Sequence, residues 1–433
     1  MKKLNTSPLS GTQELLPRAQ TLFDQYRKTI AATYAAHGFQ HIDTPAIDRT
    51  EILLAKAGGE TEKQIYRVYK TGEAAEDSGQ ALRFDQTVSL ARYVVEHEND
   101  LAFPFRVYQI GRSYRGERAQ KGRFREFYQC DVDVIGRNEL PVAYDAEVIT
   151  TLYDALRSVA GLPEFRVRIS NRKILAGLLQ ELNLDGLAAE IFAIVDHAEK
   201  VPREKTIAAL QELGVGSENI VKITAFTEVN GGRAEVVEKL RGFGFENAMF
   251  NAGVTELDAV LELLEAQLPA ENFAADMLIV RGLDYYTGTV FETFCQEYPG
   301  LGSICSGGRY ENLAGHYTDQ ILPGVGGSIG LTRLFAVLGE AGLIHDDAAA
   351  PVDIALIPLD AAVYGRTFLL AKQLRAEGRS VDVVLTDRKL GDKMAYAAKV
   401  AKYACVIGSD EVASGAAKLK NLETGELSEL KFG

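Results

Sequence analysis

"FRVYQIGRSYRGERAQKGRFREFYQCDVDVIG", Phe105 to Gly136, is the stretch on which the fold turns. Two runs rich in β-branched and aromatic residues, "FRVYQIGRSYR" and "REFYQCDVDVIG", flank the glycine- and lysine-containing segment "GERAQKGRF". That pattern predicts a long antiparallel hairpin. Side chains repeat every two residues along a strand, so Phe127, Gln129, Asp131 and Asp133 would share one face. One face would then carry an aromatic ring, an amide and two carboxylates. Arg115, Glu117, Arg123 and Arg125 surround the loop, and between Arg112 and Arg125 stand six Lys/Arg and one Glu. Facing arginines suit a bidentate grip on phosphate, which lysine makes less well. A solvated outer face of a hairpin would look the same in this stretch alone.

Working outward, 433 residues are too many for one core, so two or three domains are expected. The composition, 46% hydrophobic and 25% charged, is that of a soluble globular protein. No apolar run reaches the roughly 20 residues of a membrane span, and the N-terminus lacks the apolar core of a secretory signal. Four cysteines lie far apart without a CxxC pair, and the six histidines show no HxxxH spacing. This argues for reduced thiols in a cytoplasmic setting and against a protein metal site. The net charge of -13 argues against indiscriminate nucleic-acid binding. An acidic body with one basic loop instead suits a polyanion held at chosen points.

Phe23, Tyr26, Ile30 and Tyr34 mark one face of a helix that Gly38 would end. "FQHIDTPAID" alternates as a strand running into Pro45. Between about 172 and 270, Leu, Ala and Glu dominate and predict a mostly helical insertion. "GVGGSIGLTRLFAVL" reads as strand, turn and helix, and "DDAAAPVD" (346–353) as a linker. Beyond it, alternating strand and helix patterns predict a small α/β domain with a largely parallel sheet.

The motifs carry a resemblance. "YRGERAQKGRFREFYQCDVDV", "GVGGSIGLTRLF" and "HGFQHIDTPAID" resemble motifs 2, 3 and 1 of class II aminoacyl-tRNA synthetases. "RGLDYYTGTVFE" and "CSGGRYENL" resemble the two signatures that mark the histidyl-tRNA synthetase family within that class. "LRFDQTVSLARYV" resembles the family's histidine-binding loop in its Asp form. The resemblance implies an α+β catalytic core with a mainly antiparallel sheet (the class II synthetase fold), a helical insertion and a C-terminal α/β anticodon-binding domain. The boundaries would be 1–171 and 271–345 for the core, 172–270 for the insertion and 351–433 for the last domain.

The same resemblance implies the site. Asp85, Thr87 and Gln129 would accept the ammonium of L-histidine; Asp133 and Tyr286, with Tyr285 adjoining, would pair its imidazole nitrogens. Tyr285 and Tyr286 would alternate along a strand, with Tyr286 facing the site. Arg115 and Arg281 would be the catalytic pair that holds the carboxylate and the α-phosphate. Arg123 and Arg333 would bind the distal phosphate, Arg333 and Phe127 would cover the adenine, and Glu117 would read its amino edge. ATP is the co-substrate, with Mg²⁺ on its phosphates rather than on protein side chains. Tyr310 would be pocket wall without a chemical role, Cys130 and Cys305 packing residues, and Asp85 a helix cap as well. Arg281 could instead pair with Asp284. Implied partners are tRNA(His), its anticodon bases met by Lys389, Lys393, Lys399 and Lys402, and a second subunit in a homodimer. Gln86, Ser89 and Thr332 stand where the family usually has an apolar residue, proline and glutamate. The main alternative is a synthetase-like subunit that senses histidine for ATP phosphoribosyltransferase. Such relatives typically lack the paired tyrosines and the last domain.

Overall fold

The structure is a computed structural model that describes residues 3–55, 59–72, 79–119, 122–280, 285–344 and 350–431. The chain forms two compact units: residues 1–13 with 26–344, and residues 14–25 with 345–433.

In the larger unit the hairpin forms as the alternation predicts. Strands Phe105–Tyr114 and Glu126–Ile135 pair antiparallel over their whole length, from Phe105↔Ile135 to Tyr114↔Glu126. They lie within a nine-stranded sheet. Next to Glu126–Ile135 runs Gly324–Gly330, then Ser303–Tyr310, Thr289–Cys295 and Phe165–Asn171, all antiparallel to their neighbours. Phe273–Asp276 adds in parallel to Phe165–Asn171. The segment between those two strands is mostly helical, from Arg172–Glu181 to Ala248–Glu265, with a two-residue strand Asn230–Gly231 at the sheet edge. The strand expected to run into Pro45 is short, Gln40–His41, and after the proline, which has no N–H to give a ladder, a separate strand Ile47–Arg49 pairs in another sheet.

One face of the sheet is the core. The helix Pro17–Ala36 buries Phe23, Tyr26, Ile30 and Tyr34, and Gly38 follows it at φ 80°. The Tyr34 hydroxyl donates to the Cys130 carbonyl at 2.9 Å, so the aromatic face is pinned as well as packed. Fully buried side chains such as Ile30 each contribute about 1.5–3 kcal/mol. Helix Ala143–Arg157 lies against the same face, where a β-carbon on Gly327 would meet Leu152 Cδ1 at 2.6 Å. Cys130, Val132 and Val134 point to this side, which leaves Gln129, Asp131 and Asp133 on the other.

The smaller unit has a five-stranded sheet in the order Val381–Val383, Val352–Pro358, Ala401–Ile407, Ala416–Asn421, Leu427–Lys431. The first three strands are parallel and the last two antiparallel, so the sheet is mixed rather than largely parallel. Its second helix, Leu390–Val400, departs from expectation at one residue. Lys393 is buried and donates its Nζ to the Pro358 carbonyl at 2.9 Å, whereas Lys389, Lys399 and Lys402 are exposed. Lys393 falls on the apolar stripe of that helix, beside Ala397, and its stem fills core space. Of the expected linker 346–353, residues 346–349 lie outside the described residues, and Val352 and Asp353 already belong to the strand Val352–Pro358.

Candidate functional site

The polar face of Glu126–Ile135 needs room above its neighbours, and glycines supply it. Gly326 is the register partner of Asp133, and a β-carbon there would lie 2.0 Å from Asp133 Oδ1 and 2.8 Å from the Val132 carbonyl. Only a bare backbone lets that carboxylate lean across the strand. The Tyr310 hydroxyl donates to the same Oδ1 at 2.9 Å, and both residues are almost fully buried. Gly308 is bare for a similar reason, since a β-carbon would come within 2.9 Å of the Tyr286 ring.

Tyr285 and Tyr286 do not alternate along a strand. They precede Thr289–Cys295 in irregular chain that the Thr287 N–H ties to the Arg309 carbonyl at 2.8 Å. Freed from the two-residue repeat, both rings are half-buried and meet edge to face at 5.1 Å. Tyr285 also meets Tyr310 edge to face at 5.9 Å. Asp133 is the charge that acts most strongly on Tyr286, and Asp85 the one that acts most strongly on Tyr285, which adjoins Thr87.

Asp85 stands at the mouth of helix Thr87–Glu96. Its Oδ1 accepts the Val88 N–H at 3.0 Å, so it caps the helix and walls the cleft at once. The segment is fixed by Arg83, whose buried guanidinium donates to the carbonyls of Arg112 (2.7 Å) and Thr44 (2.6 Å). Just past the strand Phe105–Tyr114, Arg115 lies between the rings of Phe84 and Phe127, at 4.5 and 5.0 Å, and donates Nε to the Phe84 carbonyl at 3.3 Å. Burial lowers its pKa, opposed by the charges of Asp85 and Glu117.

The cleft is therefore acceptor-rich. Burial raises the pKa of Asp85 against the Val88 N–H and the Arg115 charge. Burial pushes Asp131 up to about 7. Asp133 is raised well above the carboxylate range by burial and then by Asp131, while the Tyr310 hydroxyl works the other way. Among the described residues, Gln86 Oε1, Gln129 Oε1 and Asp131 Oδ1 are buried with no hydrogen-bond partner. Buried acceptors in that number suit a ligand that brings N–H donors and positive charge. Arg115 is a guanidinium in the same place, suited to an anionic group on that ligand.

Away from this centre, Glu117 and Arg123 hold each other at 3.3 Å on the hairpin loop. Arg333, in the first turn of helix Leu331–Glu340, donates to the Leu301 carbonyl at 3.1 Å and lines a cavity of about 290 Å³ with Gly122, Gly300 and Leu301. Thr332 accepts the Tyr128 N–H at 2.8 Å, a role in which its hydroxyl joins that helix to the hairpin. Arg281 and Asp284 lie outside the described residues. Asp85, Thr87, Arg115, Phe127, Gln129, Asp133, Tyr285 and Tyr286 thus border one cleft. Glu117, Arg123 and Arg333 stand on its hairpin-loop side. Two residues were undervalued in the sequence. Asp131 shares its face with Gln129 and Asp133 by simple alternation but was given no role. Tyr310 was expected only to fill space, yet it orients a carboxylate. Cys130 and Cys305 are buried and free, and burial raises both thiols out of reactive range.

A family model described as "Histidyl-tRNA synthetase" matches residues 11–334, and one described as "Anticodon binding domain" matches residues 353–433. A histidine--tRNA ligase of Clostridium tetani is 45% identical over 98% of this chain and 96% of its own length. One from Xanthomonas oryzae pv. oryzae is 43% identical over 98% of this chain and 94% of its own. The crystal structure of a histidyl-tRNA synthetase from Nostoc sp. PCC 7120 superposes with a TM-score of 0.89 at 37% identity, covering 99% of this chain and 97% of that one. A Bacillus halodurans structure titled as an ATP phosphoribosyltransferase regulatory subunit/histidyl-tRNA synthetase shares the fold, with a TM-score of 0.76 at 21% identity over 94% of this chain and 100% of that one.

Proposed function

The chain belongs to the histidyl-tRNA synthetase family, and from that premise we propose that it activates L-histidine with ATP and transfers the histidyl group to tRNA(His). The observation that carries the reading is the meeting of buried Asp85 and Asp133 with Arg115 and the paired tyrosines in one cleft. Histidine matches that charge pattern, with an ammonium and an imidazole for the acceptors and a carboxylate for the guanidinium. Asp85, Thr87 and Gln129 take the ammonium. Asp133, oriented by Tyr310, takes one imidazole nitrogen, and Tyr286 with Tyr285 borders the other. A site built of such partners rejects analogues lacking them by roughly 10⁴–10⁵, since its own polar groups would be left unpaired.

In the first step a histidine carboxylate oxygen attacks the α-phosphorus of ATP, the bond to the β-phosphate oxygen breaks, and pyrophosphate leaves. Both reactants are anionic, so positioning and charge stabilisation dominate. Arg115 and Arg281 hold the carboxylate and the α-phosphate together. Arg123 and Arg333 bind the distal phosphate, Phe127 and Arg333 cover the adenine, and Glu117 reads its amino group. Glu117 and Arg123 exchange their mutual contact for the nucleotide. ATP is taken as its magnesium complex, the cation neutralising phosphate charge. In the second step the terminal ribose hydroxyl of tRNA attacks the carbonyl of the adenylate and AMP leaves, the hydroxyl proton passing to a phosphate oxygen of the adenylate.

We assign residues 1–171 and 271–345 to the catalytic core, 172–270 to an insertion that grips the acceptor arm, and 351–433 to anticodon binding, where Lys389, Lys399 and Lys402 offer exposed charge. A homodimer in the cytoplasm completes the reading. Motif 1 forms the subunit contact throughout the class, and Ile47 within it is exposed here. A regulatory subunit for ATP phosphoribosyltransferase is the less favoured reading, given the paired tyrosines and the match over 353–433.

Exchange of labelled pyrophosphate into ATP, run across several amino acids, tests the function. Exchange with histidine and no other is expected. Folded protein that supports no exchange, or exchanges with a different amino acid, refutes it.

A further inference from the structure

The stretch that carries the paired tyrosines is held at both ends by one residue that the assigned roles do not use. Arg172 opens the helix Arg172–Glu181, directly after the strand Phe165–Asn171. A helix leaves its first N–H groups without partners inside it. Here the Asn171 side chain accepts the Lys173 N–H at 3.0 Å, and the Gly288 carbonyl accepts the Arg172 N–H at 2.9 Å. The Arg172 guanidinium donates Nη1 to the Val280 carbonyl at 3.3 Å. Val280 and Gly288 bound the segment in which Tyr285 and Tyr286 stand, and Arg281 follows Val280 directly in the chain.

The same guanidinium lies over the ring of Phe192 at 4.9 Å, in helix Ala188–Ala198 of the insertion. A second arginine repeats the arrangement. Arg168, on the strand Phe165–Asn171, donates to Glu199 at the end of that helix at 2.7 and 3.0 Å, and to Asp276 at 2.7 Å. Asp276 in turn accepts the Leu278 N–H at 3.0 Å, just ahead of Val280. Phe192 and Glu199 are two helical turns apart on one face, about 10.5 Å. Arg168 and Arg172 are separated by about 13 Å if the chain between them is extended. The two spans match well enough for the helix to lie alongside the end of the strand. The exposed Arg168–Glu199 pair adds little by itself. Arg172 and Phe192 are both half-buried, where a guanidinium over a ring is worth more.

We propose that Arg172 is a positioning residue for the adenylation step: it holds the Val280 and Gly288 carbonyls at the two ends of the tyrosine-bearing stretch and, through Phe192, makes helix Ala188–Ala198 the backing against which that stretch is set. This rests on the histidine-site reading above and extends it to Arg172 and Phe192. It gives the insertion a part in the first step, in which no tRNA takes part, besides its grip on the acceptor arm. A misplacement of about 1 Å at a reacting centre can cost on the order of 10²-fold in rate, so a backing outside the cleft can matter to the chemistry inside it.

The test is pyrophosphate exchange by the full-length protein without tRNA, with histidine and ATP varied in turn. Phe192→Leu keeps apolar bulk and removes the ring face, outside the cleft. It should lower kcat/KM for histidine by roughly 2- to 30-fold, the scale of a cation over a ring. Arg172→Met should lower it by roughly 10- to 100-fold, the scale of a charged hydrogen bond. In both variants the Michaelis constant for histidine should rise, while that for ATP, held from the hairpin-loop side, stays within about twofold. Adding Phe192→Leu to Arg172→Met should cost no more than Arg172→Met alone, because the ring acts through the guanidinium. If Arg172→Met does not fold, the split between the two Michaelis constants in Phe192→Leu decides. A fall in kcat with both Michaelis constants unchanged reports only a smaller folded fraction and overturns the proposal. So do unaltered kinetics in Phe192→Leu and strictly additive losses in the double variant. If the unaltered protein shows no histidine-dependent exchange, the functional reading fails and the proposal falls with it.

Discussion

Arg309, in the strand Ser303–Tyr310, offers a measurement whose size is set by geometry. Its side chain points away from the cleft to Asp145, in the first turn of helix Ala143–Arg157. Nε reaches both carboxylate oxygens at 3.0 and 3.1 Å, and Nη2 reaches Oδ1 at 2.7 Å. The other N–H groups meet the carbonyls of Leu140 and Pro141 at 3.0 and 3.1 Å. Arg309 is 5% exposed and Asp145 0%. At an effective dielectric of about 20 the attraction is on the order of 4 kcal/mol, most of it offset by desolvation, so the pair itself adds little. Breaking it differs from never having it. Arg309→Met strands Asp145 and two carbonyls and should cost about 3–5 kcal/mol, a large share of a typical 5–15 kcal/mol.

The cost should depend on pH. Burial raises Asp145 and Arg309 is the first influence lowering it. Without Arg309, the folded-state pKa rises further above its unfolded value. The folded variant then binds the extra proton as pH falls, so the penalty should be smaller near pH 5.5 than near pH 7.5. The pair Arg309→Met with Asp145→Asn should lose less than Arg309→Met alone, because no charge is left unpaired. Urea unfolding followed by circular dichroism reads all three. A loss below about 1 kcal/mol, or a penalty indifferent to pH, would refute the argument.

Three further outcomes are expected. Gly326→Ala puts a methyl group against Asp133 Oδ1 and must break its contact with Tyr310. The Michaelis constant for histidine in the exchange assay should rise roughly 10- to 100-fold with a native circular dichroism spectrum, and a change within twofold contradicts the site. Arg281→Ala should slow adenylation by about 10²–10³ with histidine affinity nearly unchanged, and a raised Michaelis constant alone would remove Arg281 from the reacting centre. Asp131, held at about 7, binds a proton in the folded state that the unfolded chain has released above about pH 4. Its contribution to stability should therefore fall as pH rises from about 4 to 7, by at most on the order of 4 kcal/mol. Asp131→Asn should flatten that slope, and parallel unfolding curves for the two proteins would show that the group titrates normally.

Local patterns in the chain were enough for the hairpin, the apolar face of the first helix and the faces of the site strand. Alternation put Gln129, Asp131 and Asp133 together because a strand repeats every two residues whatever surrounds it. The short motifs were equally legible, since glycines and arginines at fixed offsets need no partner to be recognised. One misreading came where the backbone left a regular repeat, another where a charged residue sat on a buried helix stripe. Tyr285 and Tyr286 read as strand because they sit just ahead of a β-branched run, but the strand starts only at Thr289, and so both rings can turn inward. Lys393 read as surface because lysine usually is, while its position on the helix stripe and a carbonyl within reach draw it inside.

The sequence by itself therefore determined which elements form, which residues share a face, and the family to which the chain belongs. Only the tertiary structure decided what those faces meet: Tyr310 on Asp133, Ser328 beside Gln129 and Asp145 behind Arg309. The physical reason is range. Propensity and periodicity act between residues a few positions apart, whereas the partner of a buried polar group is chosen by packing among strands far apart in the chain. Desolvation, which sets the charge of these carboxylates, exists only once that packing is complete.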